Sequence, residues 1–480
     1  MSRVLERIAG FIAGLSFTDP PAKAVDVAAD AITDALGVGL AGSREPLAAP
    51  LLATVPLTTV PLTTGPPLTT GPPLTTGPGA ANGPGAPLLG TVLRAAAADA
   101  ALYNGAVIHA LDYDDLSHPA YAHPSAHLVP VLLSLGDSDG VDGRHIVTAY
   151  VAGLEVEGRL GRALNMPHYL HGWHTTGTFG TLASAAAAAK LLDLDERRAA
   201  LALGIAASMA SGLRSNFGTM TKPLHAGLAA RNGVLAALLA REGFTASPSA
   251  LDGESGFLAA YSHGKRDDSV WDDLGRTWEI TSRYGLAIKP YPSCGATHPA
   301  IEAALAVRSE IGDRAIGSVR VHTNGFSDKI LVYSDPAEGL EAKFSMQYCV
   351  AAALATGEIG LSSFRTEAVR VPPVRDLLGK TEVGVSADPK VRDSSEFAAT
   401  VSVTTADGRV AERTVLVAKG KPERWMDDGE LRRKFVECAS TVLPVRRAES
   451  GYALVQALPE GGRMADVAAA ITPESPASSR

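Results

Sequence analysis

Between Leu93 and about Gly264 apolar side chains recur at a period near 3.6. Arg144 to Leu164, Thr178 to Leu192, Glu196 to Ser211 and Pro223 to Glu242 each carry such a stripe. A sheet, with its period of two, cannot bury that pattern, so this part of the chain has to fold as packed helices. Many of the residues between the larger apolar ones are alanine or glycine, which lets helix axes approach closely. The expected result is a bundle whose central helices are buried on most sides.

The flanks differ. Residues 1–42 read as helical, broken at Asp19-Pro20-Pro21, with Val25 to Leu40 as the second helix. Residues 50–87 hold ten of the 31 prolines and four PLTT copies, starting at Pro56, Pro61, Pro67 and Pro73. Proline removes backbone donors and fixes φ, so this stretch is expected to be a low-complexity, polyproline-like surface insertion. Deleting about 56–78 should leave the fold intact, and a large drop in melting temperature would show that the repeat is packed. Near Trp278 the texture changes. Trp278 to Ile288 and Ser318 to His322 read as strands, and Thr297 to Ile311 and Ser345 to Thr356 as helices. Val401 and Val403 alternate with Ser402 and Thr404 before Asp407-Gly408, which predicts a hairpin from Thr400 to Ala418. After Pro422 helices return, with Gly429 to Leu443 the clearest. The implied order is a helical domain over 1–275, an α+β domain over 276–420 and a helical return over 421–480.

Charge and cysteine usage narrow the function classes. The balance is 43 − 51 = −8, which argues against a nucleic-acid partner, because phosphate backbones need a basic face. Cys294, Cys349 and Cys438 lie far apart with no C-x-x-C, as expected of a reducing, cytoplasmic setting without a zinc ribbon. Met1 to Asp19 reads as an amphipathic helix and not a signal peptide. No uncharged run of 18 apolar residues suggests a membrane span.

Eight of the 12 histidines lie between His109 and His174, and His109 to His123 holds three histidines and three aspartates. Such a segment suits acid/base chemistry, with a carboxylate orienting an imidazole. A metal site is a competing reading, although no H-E-x-x-H spacing supports it. In the plainer alternative Asp114 and Asp115 are solvated and Ser125 caps a helix beginning near Ala126. His109 and His118, each taken alone, read as structural. His174-Thr175-Thr176-Gly177 precedes the alanine-rich helix, where unpaired N–H groups could meet an anion. Lys222 stands beside Pro223 at the positive end of a helix, a placement that makes more sense with an anion nearby. Tyr291, Cys294 and His298 form a further cluster in Lys289 to Pro299. No nucleotide-binding glycine loop or G-x-S-x-G elbow is present.

The phrases NGAVIHALDYDD, HPS at His123, GWHTTGTFGTLASAAAAAKLL, TKPLHAGLAARNGVLAALLAREGF, KPYPSCGATHPAI and KFSMQYCVAAAL run in order over about 90–435. In these the chain resembles the MmgE/PrpD family of 2-methylcitrate dehydratases, cis-aconitate decarboxylases and related epimerases. The resemblance implies a fold that is mainly α: a large all-helical domain formed by both chain ends, plus a smaller α+β lid domain. It implies a homodimer and cofactor-independent chemistry; no metal, nucleic-acid partner or membrane partner is expected. By the same likeness Asp112, His123, His174 and Lys222 would be catalytic, and Lys222, Thr175, Thr176, Cys294, His298 and Tyr291 would bind substrate. Leu116 stands where the decarboxylases carry threonine, and Cys294 where they carry histidine.

The expected activity is a carbon–oxygen lyase that dehydrates a β-hydroxy polycarboxylate such as 2-methylcitrate or citrate. Lys222 and the N–H groups near Thr175 would hold carboxylates, and His123 and His174 would act as acid and base. The alternatives are an epimerase or isomerase, or a decarboxylase of a related acid. Further from these lie a metal-dependent hydrolase using Asp112, Asp114 and His123, and a paralogue that only binds.

Overall fold

The computed structural model describes residues 4–58, 85–137 and 140–474. The chain is mainly α, with a smaller α+β part. Its residues divide into a larger unit, 1–286 with 427–480, and a smaller one, 287–426.

Six long helices build the larger unit: Ala22–Gly42, Ala97–His109, Pro124–Gly136, Gly143–Leu164, Thr175–Leu191 and Thr221–Arg241. Thr175–Leu191 is buried at every position, because small and apolar side chains cover all its faces. Ala97–His109 and Thr221–Arg241 touch through their backbones. A Cβ on Gly105 would lie 2.8 Å from the Gly227 Cα, and one on Gly227 would lie 2.2 Å from the Leu102 carbonyl oxygen. This contact holds the end of one helix, at His109, against the start of the other, at Lys222. Gly227→Ala should therefore cost about 1–3 kcal/mol by overpacking and lower both melting temperature and activity. An unchanged melting temperature would show that the helices separate without cost.

The chain's last segment returns to this unit. Helix Asp428–Ala439 packs on Ala22–Gly42. Its buried Lys434 pairs with Asp34 at 2.6 Å and donates to the Tyr113 carbonyl at 2.8 Å. The C-terminal return thus anchors the turn that carries Asp112.

Two expectations need correction. Trp278 to Ile288 is not a strand: Glu279–Thr281 is a 3₁₀ turn and only Leu286–Ala287 is extended. Around the 3₁₀ turn its polar groups go to helix side chains, and only Leu286–Ala287 enters a ladder. The Ile280 N–H donates to Glu155 at 3.2 Å, and the Glu279 carboxylate takes Arg162 at 2.7 Å. The insertion is also narrower than 50–87. Helix Ala48–Thr54 enters it, with Pro50 in the first turn where its missing N–H is not needed. Leu57 bridges to Ala95, and Ala86–Pro87 pairs with Arg94–Ala95. The PLTT repeat from residue 59 on lies outside the described residues.

The smaller unit has a four-stranded sheet in the order Thr381–Val385, Ile316–Thr323, Ala399–Thr405, Val410–Val415. The first pair is parallel and the others antiparallel. Val319, Val321, Val401 and Val403 fill a core with helices His298–Ile311 and Met346–Thr356. Among the described residues no helix is long and apolar enough to cross a membrane.

Candidate active site

Three helix N-termini and one C-terminus meet in the larger unit. His109 is the last residue of Ala97–His109. His123 and His174 precede Pro124–Gly136 and Thr175–Leu191, and Lys222 and His225 lie in the first turns of Thr221–Arg241. The His109 ring centre is 4.4 Å from that of His123 and 6.0 Å from that of His174, and His174 is 5.2 Å from His225. Between the first two helices the chain turns through Asp112, whose φ of 51° is left-handed, a costly conformation outside glycine. Such strain is held only where surrounding contacts over-determine it, as here around Tyr113.

Lys222 finds its anion inside the protein. Its ammonium is 2.9 Å from Asp112 Oδ1, with both side chains about 6% exposed. His123 Nε2 lies 3.7 Å from the same oxygen. His123 Nδ1 is 2.7 Å from the Asp115 carbonyl, which can only accept, so Nδ1 carries a proton. His174 and His225 approach Nδ1 to Nδ1 at 3.0 Å, so one donates and the other accepts.

Asp114 and Asp115 are fully buried, which rules out the solvated reading. Asp115 accepts from the Ser125 N–H at 3.0 Å and hydroxyl at 2.5 Å, and burial pushes its carboxyl well above the usual range. Ser125 is therefore not a helix cap; His123 occupies that position.

Burial first, and the Lys222 charge after it, holds His174 well below an ordinary imidazole. Burial likewise lowers His225 to about 4, and lowers His109. At neutral pH the cluster sets neutral imidazoles at His109, His174 and His225 beside the Lys222 ammonium, an arrangement able to move protons beside a bound anion.

The other expected site residues fall in three places. Thr176 Oγ1 accepts from the His123 N–H at 3.2 Å, and the Thr175 hydroxyl donates to the Tyr121 carbonyl. These hydroxyls position the two loops, a role the sequence reading did not give them. Tyr291, Cys294 and His298 form a group of their own in the smaller unit. There the Tyr291 ring meets His298 edge-on at 5.4 Å, His298 Nε2 donates to the Ser293 carbonyl at 3.1 Å, and burial pushes the Tyr291 hydroxyl up to about 12. His118 stacks between Tyr121 and Tyr284, away from the imidazole cluster. His109 and His225 belong to the cluster, although neither was singled out as catalytic from sequence. The His225 signal was present: it follows Lys222 by three residues and so shares its helix face.

One potential ligand atom each from His109, Asp112, Asp114 and His123 converge within 4.8 Å, close enough to hold a metal ion. The Lys222 ammonium already sits on Asp112, however. A divalent ion there would face a second positive charge at close range, so the set favours protons and hydrogen-bond donors.

Similarity to known proteins gives the family. The model of the MmgE/PrpD N-terminal domain matches residues 6–269 and that of the C-terminal domain 291–460. The chain belongs to the MmgE/PrpD family, which is a family of enzymes. It is 32% identical over 383 residues to the cis-aconitate decarboxylase of Homo sapiens, covering 76% of this chain and 77% of the relative. The Mus musculus cis-aconitate decarboxylase is 33% identical over 373 residues, 75% of each chain. That of Aspergillus terreus is 28% identical over 385 residues, 75% of this chain and 78% of the relative.

Proposed function

We propose that this enzyme is a lyase acting on a tricarboxylate, and that it removes carbon dioxide from an unsaturated acid of the cis-aconitate kind. The observation that carries the reading is the buried Lys222–Asp112 pair ringed by neutral imidazoles; the named relatives support the choice of reaction. An ammonium has three donors, so Lys222 can hold Asp112 and a substrate carboxylate together. Breaking the bond to the departing carboxylate leaves an electron pair on carbon, spread through the double bond onto a neighbouring carboxylate. Lys222 and the first N–H groups of Thr175–Leu191 would meet that charge. His174 would deliver a proton to carbon and be reprotonated through His225. The balance is one carboxylate and one proton in, one C–H and one carbon dioxide out.

Dehydration of 2-methylcitrate or citrate is the second reading. The His174–His225 contact favours it, because elimination needs a base and an acid side by side. Leu116 and Cys294, which depart from the decarboxylase pattern, favour it too. Carbon dioxide release from cis-aconitate by chelator-treated protein supports the first reading; alkene formation from the hydroxy acids without carbon dioxide supports the second.

Either way the free enzyme holds His225, lowered to about 4, and His174, lowered well below an ordinary imidazole, neutral near pH 7. A proton needed in the complex must then be taken up from solution. Corrected for substrate ionisation, kcat/KM should rise as pH falls from about 7 to about 5, by up to about tenfold per unit for each proton taken up. A fall on acidification centred near 6.5 would indicate ordinary exposed imidazoles.

A further inference from the structure

The polar atom in the cluster with the least evident purpose is His109 Nε2. His109 is fully buried, and its Nδ1 lies 2.8 Å and 3.1 Å from the two Asp114 oxygens. An ionised carboxylate only accepts, so Nδ1 carries the proton and Nε2 presents a bare lone pair. That lone pair is buried and has no hydrogen-bond partner. An orphaned acceptor costs about 1–3 kcal/mol, a cost that is relieved if a donor or a proton arrives in the working state. The neighbours are the Asp112 and Asp114 carboxylates, the Lys222 ammonium, and the imidazoles of His123, His174 and His225.

A polycarboxylate cannot hydrogen-bond to a bare nitrogen. It can bind an imidazolium that donates forward from Nε2 while Asp114 accepts behind from Nδ1. A carboxylate backing an imidazole favours the positive charge, and an arriving anion favours it further. Such a charge-assisted hydrogen bond exceeds a neutral one in strength. In the empty pocket Lys222 opposes the proton; in the filled pocket the ligand's charge offsets Lys222.

We propose that His109, backed by Asp114, is a carboxylate-binding site that loads a proton onto Nε2 when a polycarboxylate enters, giving the pocket a second cation beside Lys222. This rests on the polycarboxylate reading of the site but not on which bond breaks. It explains how a site with two buried aspartates beside Lys222 can still take a multiply charged anion. It also makes the pocket selective, since a neutral ligand gives no reason to load the proton.

The test is calorimetric titration of the full chain with tricarballylate, a saturated tricarboxylate lacking the hydroxyl and the double bond. Runs near pH 7 in buffers of different ionisation enthalpy count the protons taken up. We expect about one proton per site in the wild type. His109→Gln and Asp114→Asn should lower the uptake by about one proton and weaken binding roughly 10- to 100-fold. As a readout free of variants, long-range ¹⁵N–¹H spectra should show the His109 Nε2 signal moving from bare to protonated on addition of tricarballylate.

Binding without proton uptake, uptake undiminished in His109→Gln, or an unmoved Nε2 signal would each overturn the proposal. So would the absence of any tricarboxylate binding. Proton-coupled binding without turnover of any tricarboxylate would uphold it while sinking the decarboxylase and dehydratase readings.

Discussion

Replacing Lys222 by methionine is expected to raise KM for the tricarboxylate roughly 30- to 900-fold, the equivalent of about 2–4 kcal/mol, with a smaller effect on kcat. The buried ammonium is the fixed positive charge that the pocket offers a carboxylate, and it is already ordered by Asp112 at 2.9 Å. Removing it also leaves the Asp112 carboxylate buried beside His123 without its cation. Breaking a buried pair from one side typically destabilises by about 3–5 kcal/mol, so melting temperature should fall as well. The double variant Asp112→Asn/Lys222→Met separates the two effects. It should recover melting temperature, because no uncompensated charge remains, while KM stays high. Recovery of KM in the double variant would mean that Lys222 serves only to neutralise Asp112.

His174→Gln is expected to act on the other kinetic constant. Glutamine keeps an amide near the Nε2 position but cannot exchange a proton with His225 or with carbon. Loss of a general acid or base typically costs 10²- to 10⁴-fold, and kcat should fall by about that much with KM little changed. The same change at His225 should cost less, since it reaches substrate only through His174 at 3.0 Å. Equal rises in KM at Lys222 and His174, with kcat intact, would contradict the division of labour.

The sequence disclosed the parts more clearly than their partners. His109-Ala110-Leu111-Asp112-Tyr113-Asp114-Asp115 stood out because titratable groups were dense between helices, and density is visible along a chain. The Lys222–Asp112 pair spans 110 residues and depends on the backbone contact of Gly105 with Gly227, which no local pattern reports. Lys222 still betrayed its need for an anion by standing at a helix N-terminus. The anion observed there is a protein carboxylate, a possibility that helix electrostatics alone does not separate from a ligand. His109 looked structural because its role lies in its tautomer. Asp114 sets that tautomer from five residues away, through a turn whose left-handed Asp112 is not encoded by glycine or asparagine.

Secondary structure followed the same division. Strand Ala399–Thr405 and its Asp-Gly turn were legible because alternation and turn chemistry agree. Trp278 to Ile288 misled because its aromatic and β-branched residues suit a strand, while its donors and carboxylate are claimed by Glu155 and Arg162 on a neighbouring helix. Asp115 looked like a surface carboxylate until Ser125 and Tyr150 were seen to enclose it.

The most direct measurement is proton NMR of chelator-treated protein with cis-aconitate in D₂O, beside parallel samples of citrate, 2-methylcitrate and an epimerisable dicarboxylate. The account predicts that the cis-aconitate vinyl signal disappears. In its place should come two alkene protons on one carbon and a single deuterium on the adjacent methylene, with release of carbon dioxide. Untouched cis-aconitate together with new vinyl signals from a hydroxy acid would replace decarboxylation by dehydration. Deuterium entering the dicarboxylate with no alkene and no carbon dioxide would contradict the lyase assignment and make the enzyme an epimerase.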